Sequence, residues 1–171
     1  MNKYHFPQVS SPKQYRLLIN ALFSHSEAFS LIYFKHEERE RDSRQVSHIK
    51  KKLSPYLLFS LHTNEMPSLI TWDNRHVYEL NVYRAGIDAF PAIDVLKKAA
   101  SLWDWDYPKR PMDLCFFREG YAWFISSAHE KENSLYTDDP FTIRLFQDMG
   151  LAVESRGTVP DDSLYRLPQS S

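Results

Sequence analysis

The sequence predicts a single-domain α+β protein, a mostly antiparallel sheet with a central hairpin near residues 113–129 and about four helices packed on it. Three observations favour this class. Strand-like runs occur in adjacent groups and do not alternate strictly with helices. Helical segments combine one-sided apolar spacing with N-cap residues. The 171 residues, 43% hydrophobic and 15% aromatic, are enough to form one sizeable core.

The chain begins with polar residues 1–10, which are predicted to be irregular. A capping box at 11–14 and apolar residues at helical spacing predict a first helix over about 11–24. The apolar run Ala28–Phe34 has the length of a strand and is interpreted as an inner strand of the sheet.

A charge run at 35–52 follows, with mixed signs in its first half and mainly basic residues in its second. Its apolar residues at 46, 49 and 53 lie on one helical face, and Ser43 can act as N-cap. A second helix over 43–53, ended by Pro55, is therefore predicted. Three further strands are predicted, at Tyr56–Leu61, Ser68–Trp72 and His76–Arg84.

A third helix is predicted from Asp88, its N-cap, with Pro91 in the first turn. Its buried stripe comprises the apolar residues at helical spacing, Ala89, Ile93, Leu96, Ala100 and Trp103.

The central hairpin is predicted from two apolar runs, Leu114–Phe117 and Tyr121–Ile125, which flank Glu119–Gly120. A two-residue turn predicts four facing pairs, Arg118 with Tyr121, Phe117 with Ala122, Phe116 with Trp123 and Cys115 with Phe124. Alternation then places one set of side chains on one face, Leu114, Phe116, Trp123 and Ile125. It places a second set on the other face, Cys115, Phe117, Ala122 and Phe124. Both sets are apolar, so the hairpin is expected to be covered on both sides.

After the hairpin, Ser134–Thr137 is predicted to be a short strand. Asp139 is expected to cap a fourth helix that Gly150 closes, and Leu151–Glu154 to form an edge strand. The domain is therefore assigned to residues 1–155, and residues 156–171 are expected to form a loose C-terminal tail.

Composition excludes several classes of function. The formal charge of −1, from 21 basic and 22 acidic residues, gives no overall attraction to nucleic acid or to an anionic membrane. No two of the four glycines lie within six residues of each other, which excludes a P-loop or a dinucleotide-binding fingerprint. The single cysteine, the lack of an apolar run of membrane-spanning length and the lack of a signal peptide predict a soluble, cytoplasmic protein.

Candidate catalytic residues are few. Ser127 and His129 share a face at the end of the hairpin and could serve a small hydrolase together with a carboxylate. Cys115 is interpreted as a buried structural residue, since no histidine is paired with it. His36-Glu37 and His129-Glu130 each begin like a zinc-binding helix but lack its second histidine, so no metal or other cofactor is expected.

Two segments could bind a protein partner. The basic residues of the charge run, Arg39, Arg41, Arg44 and Lys50–Lys52, could meet an acidic surface. The aromatic and acidic segment, Trp103, Asp104, Trp105, Asp106 and Tyr107, would suit a basic partner and is the preferred interpretation.

About half of the chain, from Trp72 to Met149, resembles a set of small, uncharacterised bacterial cytoplasmic proteins in the style of immunity proteins. The landmarks of this resemblance are Trp72, a strand at Val77–Arg84, Leu96 on a helix, Trp103, Asp113–Phe116, Trp123 and Ala128–Glu130. The resemblance implies no catalytic residue. It implies a protein-binding module that acts by contact with a protein partner, such as a toxin that it neutralises. The alternative from the residues themselves is the hydrolase built on Ser127 and His129.

Overall fold

The computed structural model describes residues 1–7, 9, 11–34, 43–68 and 78–169. Within these residues it contains eight strands, namely Asn2–His5 (β1), Ala28–Phe34 (β2), Leu57–Thr63 (β3), Tyr78–Arg84 (β4), Met112–Arg118 (β5), Tyr121–Ser127 (β6), Glu132–Tyr136 (β7) and Glu154–Thr158 (β8). It contains four α-helices, Pro12–Ser24 (α1), Arg44–Leu53 (α2), Ala92–Leu96 (α3) and Pro140–Asp148 (α4). Every strand pairing is antiparallel, which confirms the predicted α+β class.

The strands form one sheet in the order β3-β4-β2-β5-β6-β7-β1-β8, so the predicted hairpin β5–β6 lies at its centre. Apolar side chains are buried on both faces of the sheet. The larger cluster combines one sheet face with buried residues of all four helices. A smaller cluster on the opposite face includes Cys115 and Phe117 and is covered by Met66 and by Tyr165 and Leu167 near the C-terminus.

The hairpin register differs from the prediction because β6 contains a bulge at Trp123. Arg118 pairs with Tyr121 and Phe117 with Ala122, as predicted, but Phe116 then pairs with Phe124 and Cys115 with Ile125. The extra residue turns Phe124 toward the larger cluster and Ile125 toward the smaller one, which reverses their predicted faces. Trp123 packs against Phe146 of α4, and its indole nitrogen donates to Ser26 Oγ at 2.9 Å.

Three predicted helices are confirmed with their caps. Ser11 accepts from the Gln14 amide, Ser43 from the Val46 amide, and Asp139 from two amides of the first turn of α4. The third helix is shorter than predicted. A capping box formed by Ser101 and Asp104 begins a separate 3₁₀ turn at Leu102–Asp104, so a continuous helix cannot pass through this point.

The two ends of the chain are more ordered than predicted. Residues 2–5 are not irregular but form β1, between β7 and β8. The last strand begins at Glu154, where the predicted edge strand was expected to end. The expected loose tail is bound to the sheet: the Ala122 amide donates to the Tyr165 carbonyl at 2.8 Å, and Leu164 is buried. These pairings join residues far apart in sequence, so local patterns did not reveal them.

Some predictions lie outside the described residues. These are most of the strand at Ser68–Trp72, the start of the strand at His76–Arg84 and the first half of the charge run. Among the residues that are described, none of the helices has the length and apolar character needed to cross a bilayer.

Candidate functional site

Asp113 and His129 form a buried contact at one end of the central hairpin. The pairing of β2 with β5 shifts between Ser30 and Ile32, and Asp113 has a φ of 54° within the bulge opposite this shift. Aspartate adopts this left-handed conformation more readily than most residues. The conformation places the Asp113 carboxylate where it accepts from the Ala128 amide at 2.9 Å and lies 3.2 Å from His129 Nδ1.

The surroundings of His129 favour its protonated form. The hydrogen bond to Asp113 is the main cause of a raised pKa for His129, and the charges of Asp113, Glu130 and Asp106 act in the same direction against burial. Glu130 Oε1 lies 3.7 Å from His129 Nε2. Asp113 is 2% exposed, so this carboxylate depends on His129 and on the backbone for compensation. The contact joins the start of β5 to the turn after β6, and it is an ion pair when His129 is protonated.

Ser127 does not join this pair. Its Oγ is buried and has no hydrogen-bond partner among the described residues, so His129 does not hydrogen-bond to it as a base would to a nucleophile. Ser127 instead lines a shallow cavity with Ile125 and Tyr165, which belong to the side of the sheet opposite the helices. The carboxylate that the hydrolase alternative required is thus present as Asp113, while the predicted nucleophile is directed elsewhere.

The segment Trp103–Tyr107 is not the continuous exposed surface that was predicted. Trp105 is completely buried, and its indole nitrogen donates to Tyr15 Oη at 2.8 Å. The Asp104 carboxylate accepts from the amides of residues 100 and 101, so it caps a turn. The sequence favoured a surface site because aromatic and acidic residues alternate here, but this alternation reflects a turn with one side in the core.

The remaining members of the segment are half-buried and contact neighbouring elements. The ring of Tyr107 meets the ring of Phe34 edge to face at 4.7 Å. Lys131 Nζ lies 6.0 Å from the centroid of the Trp103 ring. The Asp113 amide donates to the Trp105 carbonyl at 3.2 Å, which ties this segment to the Asp113–His129 pair. The predicted partner-binding segment and the predicted catalytic histidine therefore belong to one internally bonded region.

A second candidate site is a groove between α2, the end of α3 and residues 109–110. We call it the cationic groove. Its floor includes Ile49 and Val95, which are half-buried and pack against the larger core cluster. Its volume is about 250 Å³. Helical spacing explains the floor, because Val46, Ile49 and Leu53 follow one face of α2 and Ile49 lies at the edge of that face.

The rim of the cationic groove is basic. Its charged or titratable members are His48, Lys52, Lys98, Lys109 and Arg110, and no acidic side chain of the described residues lines it. Interaction with the Lys98 side chain, including repulsion by its positive charge, lowers the pKa of Lys52. Lys50 on the same helix provides a contrast, since its Nζ lies 2.7 Å from Glu79 Oε1. The charge on Lys50 is compensated within the chain, whereas no ion pair of the described residues involves a member of the rim.

Only part of this groove was predicted. Lys52 belongs to the charge run proposed for an acidic partner, while Arg39 and Arg41 lie outside the described residues. Val95, Lys98, Lys109 and Arg110 were missed. The available signal was the pair of basic dipeptides at 97–98 and 109–110, but only the packing of α3 on α2 brings them to one groove.

The described residues do not favour two further kinds of site, a metal site and a reactive thiol. These residues contain no group of three or more histidine, cysteine or acidic side chains arranged to hold a metal ion. Burial raises the pKa of Cys115 well above its usual value, which disfavours the reactive thiolate and agrees with a structural role.

Comparison of the chain with protein-family models, with curated proteins and with solved structures finds no match. The geometry and chemistry of the two regions therefore carry the functional interpretation.

Proposed function

We propose that this protein is a protein-binding module and that the cationic groove is its contact surface. The observation that carries the proposal is the combination of an apolar floor at Ile49 and Val95 with a rim of basic side chains that have no acidic partner among the described residues. Protein interfaces concentrate their binding energy in apolar and arginine-containing pockets, and surrounding charges guide the encounter. The groove offers both features on one surface.

Neutralisation of a toxin is one form that this binding can take, and the resemblance to proteins of immunity style supports it. In that case the groove would cover a surface that the toxin needs for its own activity. The buried position of Trp105 argues against the segment Trp103–Tyr107 as the contact surface, because an interface anchor has to reach its partner.

The proposal is tested by capture from the lysate of the native host. The wild-type protein is expected to retain one stoichiometric partner, and Val95→Gln is expected to weaken capture at least about tenfold by placing an amide on the apolar floor. Leu17→Gln is the matched control, since Leu17 is an exposed apolar residue of α1 that does not line the groove. Both variants must keep the wild-type melting temperature. Equal capture by wild type and Val95→Gln would contradict this contact surface, and failure to capture any specific partner would contradict the function.

A small hydrolase is the second candidate, and the contact between Asp113 and His129 favours it. A carboxylate that orients a histidine is part of many acid–base sites. Ser127, the predicted nucleophile, makes no hydrogen bond to the histidine, because its Oγ has no hydrogen-bond partner among the described residues. We therefore expect a serine-directed phosphonate probe to leave the protein unlabelled. Labelling at Ser127 that disappears in His129→Ala would favour the hydrolase over the binding module.

A further inference from the structure

We infer that the segment of the partner that enters the cationic groove is an acidic amphipathic helix, with apolar side chains on the floor and carboxylates on Lys52 and Lys98. This inference rests on the proposed function, because it names the chemistry of the partner at the same groove. The basic rim and the apolar floor of the groove support it.

The rim concentrates positive charge, and among the described residues none of its members takes part in an ion pair. Lys52 of α2 and Lys98 beyond α3 both line the groove, and the charge on Lys98 lowers the pKa of Lys52. Two ammonium groups on one rim repel each other, and a bound carboxylate would relieve this repulsion. Arg110 Nη2 donates to the Lys98 carbonyl at 3.3 Å, which holds a third positive group beside the pair.

The floor limits the class of anion that fits. Ile49 and Val95 form an apolar surface between the basic side chains, and a cavity of about 250 Å³ accommodates one or two aliphatic side chains. An amphipathic helix presents apolar residues at i, i+3 and i+4 with charged residues beside them, which matches this pattern. A nucleic acid backbone instead needs an extended track of cations, with aromatic platforms where its bases stack. No Phe, Tyr or Trp lines this groove among the described residues, and His48 is the one ring among its lining residues.

The test uses a defined probe. A fluorescent peptide of about 12 residues, with Leu at i, i+3 and i+4 and Glu at the flanking positions, is titrated with the full-length protein and followed by anisotropy. The comparison peptide replaces each Glu by Gln and keeps the Leu residues. A thymidine oligonucleotide of the same net charge serves as the nucleic acid probe. We expect the Glu peptide to bind at least about tenfold more tightly than either comparison probe, with an affinity that falls as salt is raised.

Two double variants locate the binding. Lys52→Glu with Lys98→Glu is expected to weaken binding of the Glu peptide at least about tenfold. Lys51→Glu with Lys97→Glu changes the net charge equally at neighbouring positions that do not line the groove, and is expected to have less than about a twofold effect. Equal losses in the two double variants would overturn the inference, as would no binding of the Glu peptide, equal binding of the Gln peptide, or tighter binding of the oligonucleotide.

Failure of this inference is distinguishable from failure of the proposed function. If Val95→Gln loses the captured partner while Lys52→Glu with Lys98→Glu keeps it, the binding function stands and the acidic class of partner is wrong. If the Glu peptide binds through Lys52 and Lys98 but no specific protein is captured, the anionic site stands and the proposed function is wrong.

Discussion

The Asp113–His129 region and the cationic groove both contain several ionisable side chains. In the first region a side chain of opposite charge lies in contact, whereas the groove has no such side chain among the described residues. Asp113 is compensated by His129 and by the Ala128 amide, and it is almost completely buried. Lys52 and Lys98 both line the groove beside its apolar floor, and no acidic side chain of the described residues lines the groove with them. Charge satisfied within the chain stabilises the fold, whereas charge left unsatisfied beside an apolar surface is available to a partner.

The same contrast separates the two segments that the sequence proposed as partner surfaces. The aromatic and acidic residues of Trp103–Tyr107 make internal hydrogen bonds and caps, so their chemistry is used by the fold. The described part of the charge run, residues 43–52, belongs to α2 except for its N-cap, and one of its lysines, Lys52, lines the groove. Substitutions in the first region should therefore change stability, and substitutions in the second should change binding.

The largest effect is expected for Trp105→Ala. This substitution removes a fully buried indole and the hydrogen bond to Tyr15 Oη, which itself donates to the Leu96 carbonyl. The cavity and the lost bond should lower the free energy of unfolding by about 3–5 kcal/mol, as measured by urea denaturation. Trp103→Ala is the control, because Trp103 is half-buried and should cost clearly less. If Trp105→Ala lowered the free energy of unfolding by less than about 1 kcal/mol, Trp105 would not be buried in the core. The contrast between the two regions would then be wrong.

An intermediate effect is expected for Asp113→Asn. The amide retains an acceptor for the Ala128 amide and tolerates the left-handed backbone, but it removes the charge opposite His129. The expected cost at pH 6 is about 1–3 kcal/mol, the range for hydrogen bonds to charged groups. Since Asp113 raises the pKa of His129, the stabilisation is complete below the unfolded value near 6.5 and is lost as the pH rises through the raised value.

Urea denaturation across pH 5–9 checks this prediction. The cost of Asp113→Asn should therefore be larger at pH 6 than at pH 9. Asp106→Asn is the control. Of the charges that raise the pKa of His129, that of Asp106 has the smallest effect, so this variant should change the pH profile least. An identical cost of Asp113→Asn at both pH values would mean that the contact does not depend on protonated His129.

Local signals in the sequence predicted much of the fold and little of the sites. The caps at Ser11, Ser43 and Asp139 act within three residues of themselves, so three helices were recognisable. The register of β6 was not, because apolar residues on both faces give no alternation that could reveal the bulge at Trp123. β1 was missed since its polar residues are paired with strands more than a hundred positions away.

Like β1, the two candidate sites depend on contacts between residues that are separated in the sequence. Asp113 and His129 are sixteen residues apart and meet only because the hairpin brings the start of β5 next to the end of β6. Lys52 lies on α2 and Lys98 just beyond α3, and the sequence patterns do not specify how these two helices pack. A basic dipeptide is most often part of a solvated surface, so only the folded structure identifies the groove, through its apolar floor.

The smallest effect is expected for Lys52→Gln, and the informative result is whether the melting temperature rises or falls. If Lys52 is held against Lys98 without an anion, removal of one charge should leave the melting temperature unchanged or raise it by at most about 2 °C. The gain should be present near neutral pH and should fade as the pH rises through the lowered pKa of Lys52. It should also fade in high salt, because the pair is exposed and its repulsion is screened.

Lys51→Gln removes the same charge from an exposed position outside the groove and should give no comparable gain. A fall in melting temperature for Lys52→Gln, absent from Lys51→Gln, would mean that Lys52 stabilises the fold through a contact of its own. In that case the groove would resemble the Asp113–His129 region, with its charge already used within the chain.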